Sequence, residues 1–183
     1  MIINDIVLMM KDGRRALLRN PTENDIGDTL DFLYKSATES NFVYRSPEDC
    51  VKYTREREKQ LFENINASTN NVMLVCIVEE KFVGTCQLVV KEKKKTRHRA
   101  NIAIALLRDY WGLGIGSQMV DVMIHTAKQM EYVTQIEVKL IEGNCRGRAM
   151  YEKKGFRIIG VVPDGICLDD GTLLNEYTMI LKL

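Results

Sequence analysis
Two short segments carry residue types that could do chemistry, and the first is Trp111-Gly112-Leu113-Gly114-Ile115-Gly116-Ser117. It stands where an apolar run, Ile102-Ala103-Ile104-Ala105-Leu106-Leu107, gives way to a helical pattern. Glycines at a strand-to-helix turn let successive backbone N–H groups approach an anion, and the helix dipole favours negative charge at the same place. The same glycines also suit a tight turn that needs positive φ and close packing of helix on sheet. Spacing alone fits either use. A Walker loop would need Gly-Lys-Ser/Thr, but Gly116 is followed by Ser117-Gln118. A dinucleotide site would want an acidic residue at the end of the next strand, and Glu137 lies at a tolerable distance. Such a turn normally follows the first strand of its domain, however, and several strand-like runs precede this one.

The second segment is Asn144-Cys145-Arg146-Gly147-Arg148-Ala149-Met150-Tyr151-Glu152-Lys153-Lys154-Gly155-Phe156. Together the two segments resemble the GNAT superfamily of acyl-CoA-dependent N-acetyltransferases. Its acetyl-CoA motif, Arg/Gln-x-x-Gly-x-Gly/Ala, is matched by Trp111-x-x-Gly114-x-Gly116, with Trp111 in place of the usual Arg or Gln. Its following motif is matched by Asn144, Arg146, Tyr151, Lys153, Gly155 and Phe156, with Ala149 displaced. The resemblance is sharp over residues 101–160.

It implies acetyl transfer from acetyl-CoA to a primary amine of a small molecule or peptide. Ile104, Ala105 and Leu106 would lie beside the pantetheine arm and thioester. Trp111, Gly112, Leu113, Gly114, Ile115, Gly116 and Ser117 would wrap the pyrophosphate, and Asn144 would hydrogen-bond the cofactor arm. Tyr151 would be the general acid that protonates the departing thiolate, while a backbone N–H near Leu106 could stabilise the oxyanion. No metal is needed. Many relatives carry a Glu near the position of Asn101 or of Lys139, and neither is acidic here. Glu137 reads as a polar residue on a sheet face, Glu39 as a solvated loop acid, and His98 and His125 as surface residues, so deprotonation through water fits the inventory. The missing acid is the best support for a different reading, a non-catalytic acyl-CoA-binding or regulatory domain. The acceptor wall implied by the family comprises Glu39, Phe42, Tyr44 and residues 164–176.

These residues need a sheet and helices to hold them. Asp12-Gly13 between apolar runs predicts an N-terminal hairpin. Ile26, Leu30, Leu33 and Ala37 recur at helical spacing, and Ser46-Pro47-Glu48-Asp49 reads as the start of a second helix continuing towards Ile65. The runs 72–78 and 82–90 form a hairpin, 102–107 a central strand, and Ile115, Met119, Met123, Ala127 and Met130 one face of a helix. With the strand 136–140 this makes a βαβ unit and a parallel pair. A short helix from Cys145 to Lys154, then strands near 157–162 and 173–181, complete the chain. The expected fold is α/β: a mixed, mostly antiparallel sheet of about seven strands with a parallel pair in the middle, flanked by about four helices, in one domain over residues 1–183.

The 183 residues include 26 Lys plus Arg and 25 Asp plus Glu, and a net charge of +1 supplies no field to hold nucleic acid or an anionic membrane. The basic stretch Lys91–Arg99 has no interleaved aromatics and reads as a solvated hairpin end. Cys50, Cys76, Cys86, Cys145 and Cys167 are scattered and read as reduced, mostly buried thiols. The start lacks a basic n-region and no run is long enough to span a membrane, so a cytoplasmic location is expected, with a homodimer left open.

Overall fold
The computed structural model describes all residues, 1–183. Eight strands form one sheet, one more than about seven. In chain order they are β1 (Ile6–Met9), β2 (Arg15–Arg19), β3 (Val72–Val78), β4 (Lys81–Val90), β5 (Arg99–Leu106), β6 (Gln135–Ile141), β7 (Arg157–Cys167) and β8 (Leu173–Lys182), and across the sheet they run β1-β2-β3-β4-β5-β6-β8-β7. Every neighbouring pair is antiparallel except β5–β6, which the βαβ connection makes parallel. The helices are α1 (Ile26–Glu39), α2 (Arg55–Ala67), α3 (Ile115–Lys128) and α4 (Cys145–Lys153).

The helix expected to run unbroken from Ser46 is interrupted. Ser46 does cap a turn, its Oγ accepting from the Asp49 N–H at 3.3 Å, but only a 3-10 turn over Glu48–Lys52 follows. Tyr53 is extended, and Thr54 then caps α2 by accepting from the Arg57 N–H. Two competing caps eight residues apart give two short elements rather than one helix.

Strand alternation divides the sheet into two faces. Leu74, Cys86 and Ile102 belong to the main core with Ile115, Met119 and Met123 of α3 and Tyr151 of α4. Met73 packs on the other face with Ile26 of α1 and Phe62 and Ile65 of α2, and Val75 packs there with Phe32. The register extends that second face to Gln87 and Ala103, and to Thr85 and Ala105.

The parallel pair is short. It joins Arg99 to Gln135, Ala100 to Ile136 and Asn101 to Glu137, and beyond these positions β5 and β6 diverge. Glu137 fastens the strands where they part, accepting from Lys91 Nζ at 2.9 Å, Arg99 Nη2 at 2.8 Å and Gln135 Nε2 at 2.9 Å, and also from Arg99 Nε. Lys91 and Arg99 are thus tied into this cluster, while the tip of the basic loop between them is largely exposed. Of the cysteines, Cys76 and Cys86 are buried, but Cys145 and Cys167 are exposed. The thiols are all free. His98 and His125 are on the surface, as expected.

Candidate active site
The divergence of β5 from β6 opens a cleft of about 1090 Å³ that reaches both faces of the sheet. That is at the upper end for a single small-ligand site. Its lining includes Ile104, Ala105, Leu106, Trp111, Gly112, Gly114, Gly116, Ser117, Asn144 and Tyr151, so the two sequence segments meet in one place. Leu113 and Ile115 contribute to the same turn but face the core.

The turn into α3 leaves a run of backbone N–H groups without acceptors. Gly112 and Gly114 have φ of +78° and +88°, conformations that burden any residue with a Cβ. Gly116 does not: its backbone is helical, and a Cβ there would meet only Met150 Sδ at 3.5 Å and Leu106 Cδ1 at 3.6 Å in ordinary contact. None of the backbone N–H groups from Gly112 to Ser117 donates to another group of the protein. They stand at the positive end of α3, where a phosphate would find both donors and the helix dipole. The β1–β2 turn braces the cradle, with the Lys11 N–H donating to the Leu113 carbonyl at 3.0 Å and Gln118 Nε2 donating to the Met9 carbonyl at 2.9 Å. The Lys11 side chain runs beside Gly114 into the cleft and its ammonium has no ion-pair partner. Trp111 Nε1–H donates to the Leu106 carbonyl at 2.7 Å, locking the turn to the end of β5, and the Arg146 guanidinium stacks 3.7 Å from the Trp111 ring centre. Sequence reasoning missed Lys11, whose only signal is its place beside the Asp12-Gly13 turn.

The β5 edge offers further donors. The bonds from Leu107 N–H to the Val83 carbonyl and from Lys91 N–H to the Arg99 carbonyl fix which residues pair with β4. By the antiparallel alternation, the N–H groups of Ile104 and Leu106 point the other way, into the divergence, where β6 no longer answers them. Gly84 makes the end of this edge possible, because a Cβ there would fall 2.4 Å from Leu106 Cδ2 and 2.6 Å from the Ala105 carbonyl oxygen.

Asn144 caps α4, its Oδ1 accepting from the Gly147 N–H at 3.0 Å, which leaves the side-chain Nδ2 free to donate into the cleft. Gly147 is needed for this packing, since a Cβ would come within 2.8 Å of the Asn144 amide. Tyr151 is 4% exposed and its ring packs edge-on against Phe156, with centroids 5.2 Å apart. Tyr151 lines the cleft, and no group of the protein hydrogen-bonds its hydroxyl. Burial, with the Cys86 thiol close by, pushes the phenol well above its ordinary range, so it stays protonated at neutral pH.

A family model for the GNAT acetyltransferases matches residues 31–156. The chain belongs to that family. Among solved structures, a GNAT-family acetyltransferase from Streptococcus pneumoniae superposes with a TM-score of 0.86 at 22% identity, covering 92% of this chain and 99% of that one. A ribosomal-protein-alanine N-acetyltransferase from Brucella melitensis gives 0.78 at 22%, covering 91% and 99%. A phosphinothricin acetyltransferase from Sinorhizobium meliloti, solved with acetyl-CoA, gives 0.79 at 16%, covering 92% and 88%. No match is found among curated proteins. Acetyl-CoA as co-substrate fits both the GNAT family and the unpartnered N–H groups of the cradle. No helix is long and apolar enough to cross a membrane.

Glu137 sits on a sheet strand as expected, and Glu39 does not match its expected setting. Burial alone would raise the Glu137 carboxyl, but hydrogen bonds from Arg99, Lys91 and Gln135 outweigh it and hold the group down to about 2, which makes Glu137 a strand clasp and a poor base. Glu39 is not a solvated loop acid: it ends α1 and its Oε2 accepts from the Arg108 N–H at 2.7 Å. Phe42 and Tyr44 line the cleft with Glu39, and of residues 164–176 Glu176 of β8 stands behind this wall, accepting from Lys139 Nζ at 2.7 Å, while the β7 part of the hairpin lies beyond β8 at the far edge. One acid was missed altogether. Glu58 of α2 lines the cleft and is 4% exposed, and its signal was its place on the same helical stripe as Phe62 and Ile65.

Proposed function
We propose that residues 1–183 act as one acetyltransferase unit that moves an acetyl group from acetyl-CoA to a primary amine. The observation that carries this is Tyr151, whose ring is buried and whose hydroxyl is unpartnered in the protein and open to the same cleft as the N–H cradle. The bound co-substrate supplies a thioester whose carbonyl carbon bonds to the amine nitrogen as the C–S bond breaks. The N–H groups of residues 112–117 hold the pyrophosphate, with Lys11 and Arg146 supplying the positive charge that Trp111 does not. Ile104 and Leu106 align the pantetheine arm along β5, with the Asn144 amide as a further donor, and a free N–H of that edge meets the carbonyl oxygen. Tyr151 donates its proton to the departing sulfur and regains one released by the amine through solvent.

The non-catalytic alternative draws on Asn101 and Lys139, which line the cleft and offer no carboxylate. The unspent Tyr151 hydroxyl weighs against it. Release of free CoA thiol from acetyl-CoA, followed over a panel of amines, separates the two: an amine-dependent rate supports transfer, and tight acetyl-CoA binding with no rate on any amine supports the binding module.

A further inference from the structure
Opposite charges stand in the cleft without meeting. Glu58 makes no hydrogen bond or ion pair through its carboxylate, which opens onto the cleft while the rest of the residue is buried, and burial pushes that carboxyl up while the Arg45 charge opposes the shift. Arg45 lies in the connection between α1 and α2. Its Nε donates to the Leu33 carbonyl at 3.0 Å and its Nη2 to Ser36 Oγ, which fixes the guanidinium on α1, while no oxygen of the protein accepts from Nη1. Thr29 Oγ1, on the same helix and the same cleft, is buried and unpartnered.

Glu58 and Arg45 approach the cleft from the α1/α2 face of the sheet, whereas Tyr151 and the cradle approach from the α3/α4 face. On the Glu58 side the β5 residues are small, Ala103 and Ala105, and leave the sheet open up to the divergence. The Glu58 carboxylate and Arg45 Nη1 face the cleft unpaired and partly shielded from water, so a third group that meets both would replace the hydration they lose. A molecule that carries the two complementary charges would do so. We propose that this half of the cleft binds an acceptor with an amine and a carboxylate on one small molecule, a free amino acid or close analogue, Arg45 taking the carboxylate through Nη1 and Glu58 the ammonium. The proposal rests on the acetyltransferase reading above and narrows its acceptor.

The test uses the full chain with acetyl-CoA and follows CoA release for the free α-amino acids, each beside its decarboxylated amine, together with spermidine and a peptide with a free N-terminus. The preferred amino acid should exceed its decarboxylated amine in kcat/KM by about 10- to 100-fold, the range of a charged hydrogen-bonded contact. Arg45→Met should abolish that ratio by lowering the amino acid alone, and Glu58→Gln should lower both substrates of the pair. A merely structural Arg45 would lower both alike and keep the ratio. Should Arg45→Met fail to fold, the wild-type ratio still decides. Preference for decarboxylated amines, spermidine or the peptide overturns the proposal. If acetyl-CoA binds but no amine turns over, the amino acids are titrated calorimetrically into protein saturated with CoA, and absence of binding overturns it. If acetyl-CoA itself does not bind, the acetyltransferase reading fails, and the same titration without CoA judges the Arg45–Glu58 site separately.

Discussion
The two halves of the cleft are built by different means. On the α3/α4 face the working groups are mostly backbone: the N–H groups of residues 112–117 and of Ile104 and Leu106, released by glycines and by strand divergence, with Asn144 and Tyr151 in a fixed spacing behind them. On the α1/α2 face they are single side chains, Glu58 and Arg45, carried by elements that share no motif. A site made of backbone must be written as a contiguous pattern, because the chain itself has to turn there. One made of side chains can be assembled from anywhere the fold brings together. The first face suits a co-substrate common to a family, the second an acceptor that differs among its members.

The sharpest way to break this contrast is Gly114→Val. A β-branched residue at φ +88° is strained, and its side chain would crowd Lys11, whose Cγ lies 3.5 Å from the Cβ position, so both the turn and the cation beside it shift. Acetyl-CoA affinity, read by calorimetry, should fall by about 100-fold or more, a loss of roughly 3 kcal/mol, in a protein that still melts cooperatively. Gly116→Ala disturbs neither, since its backbone is helical and its Cβ would find room among the protein atoms. Any loss of affinity there belongs to contact with the ligand alone. Unchanged affinity in Gly114→Val would remove residues 112–117 from the co-substrate site.

Glu137→Gln tests the hinge between the halves. The folded-state pKa of about 2 lies below the ordinary 4.5, so Glu137 stabilises the protein fully above pH 4.5 and progressively less as pH falls towards 2. Allowing for the partial exposure of Lys91 and Arg99, the substitution should cost about 2 kcal/mol at pH 7 and little at pH 2. Denaturant melts at the two pH values check this. Turnover well below the melting temperature should persist, and its abolition with both substrates still bound would make Glu137 the base.

Asn144→Ala sets the smaller scale. Losing the cap should cost about 1 kcal/mol of stability. Acetyl-CoA affinity should fall as well if the free Nδ2 donates to the co-substrate, so a stability loss with unchanged affinity would leave Asn144 as a cap only.

The same contrast explains what could be read before the structure. The order of strands and helices, the parallel pair and the positions of Gly114, Asn144 and Tyr151 follow from local periodicity and a contiguous motif. Local signals also placed β3, β4 and α3 closely, because β3 and β4 are covered by apolar packing on both faces of the sheet and α3 lays one apolar stripe on the main core. They failed where two local signals competed, as at Ser46 and Thr54, and where a contact joins distant segments. Glu39 could not be tied to Arg108, Lys11 to the cradle, or Glu58 to Arg45 without the tertiary fold. Glu58 left one trace, a carboxylate on an apolar helical stripe.

The most direct test is single-turnover acetyl transfer in Tyr151→Phe. The ring, its packing on Phe156 and the N–H groups of residues 112–117 are kept, and only the unpartnered hydroxyl is lost, so folding and acetyl-CoA affinity should change little. With an accepted amine saturating, the chemical step should slow by about 100-fold, the lower part of the range for a general acid, because a thiolate leaves tolerably well without a proton. Single turnover is required so that slow product release cannot mask the loss. A rate equal to the wild type would make Tyr151 a packing residue and contradict the mechanism proposed for this cleft.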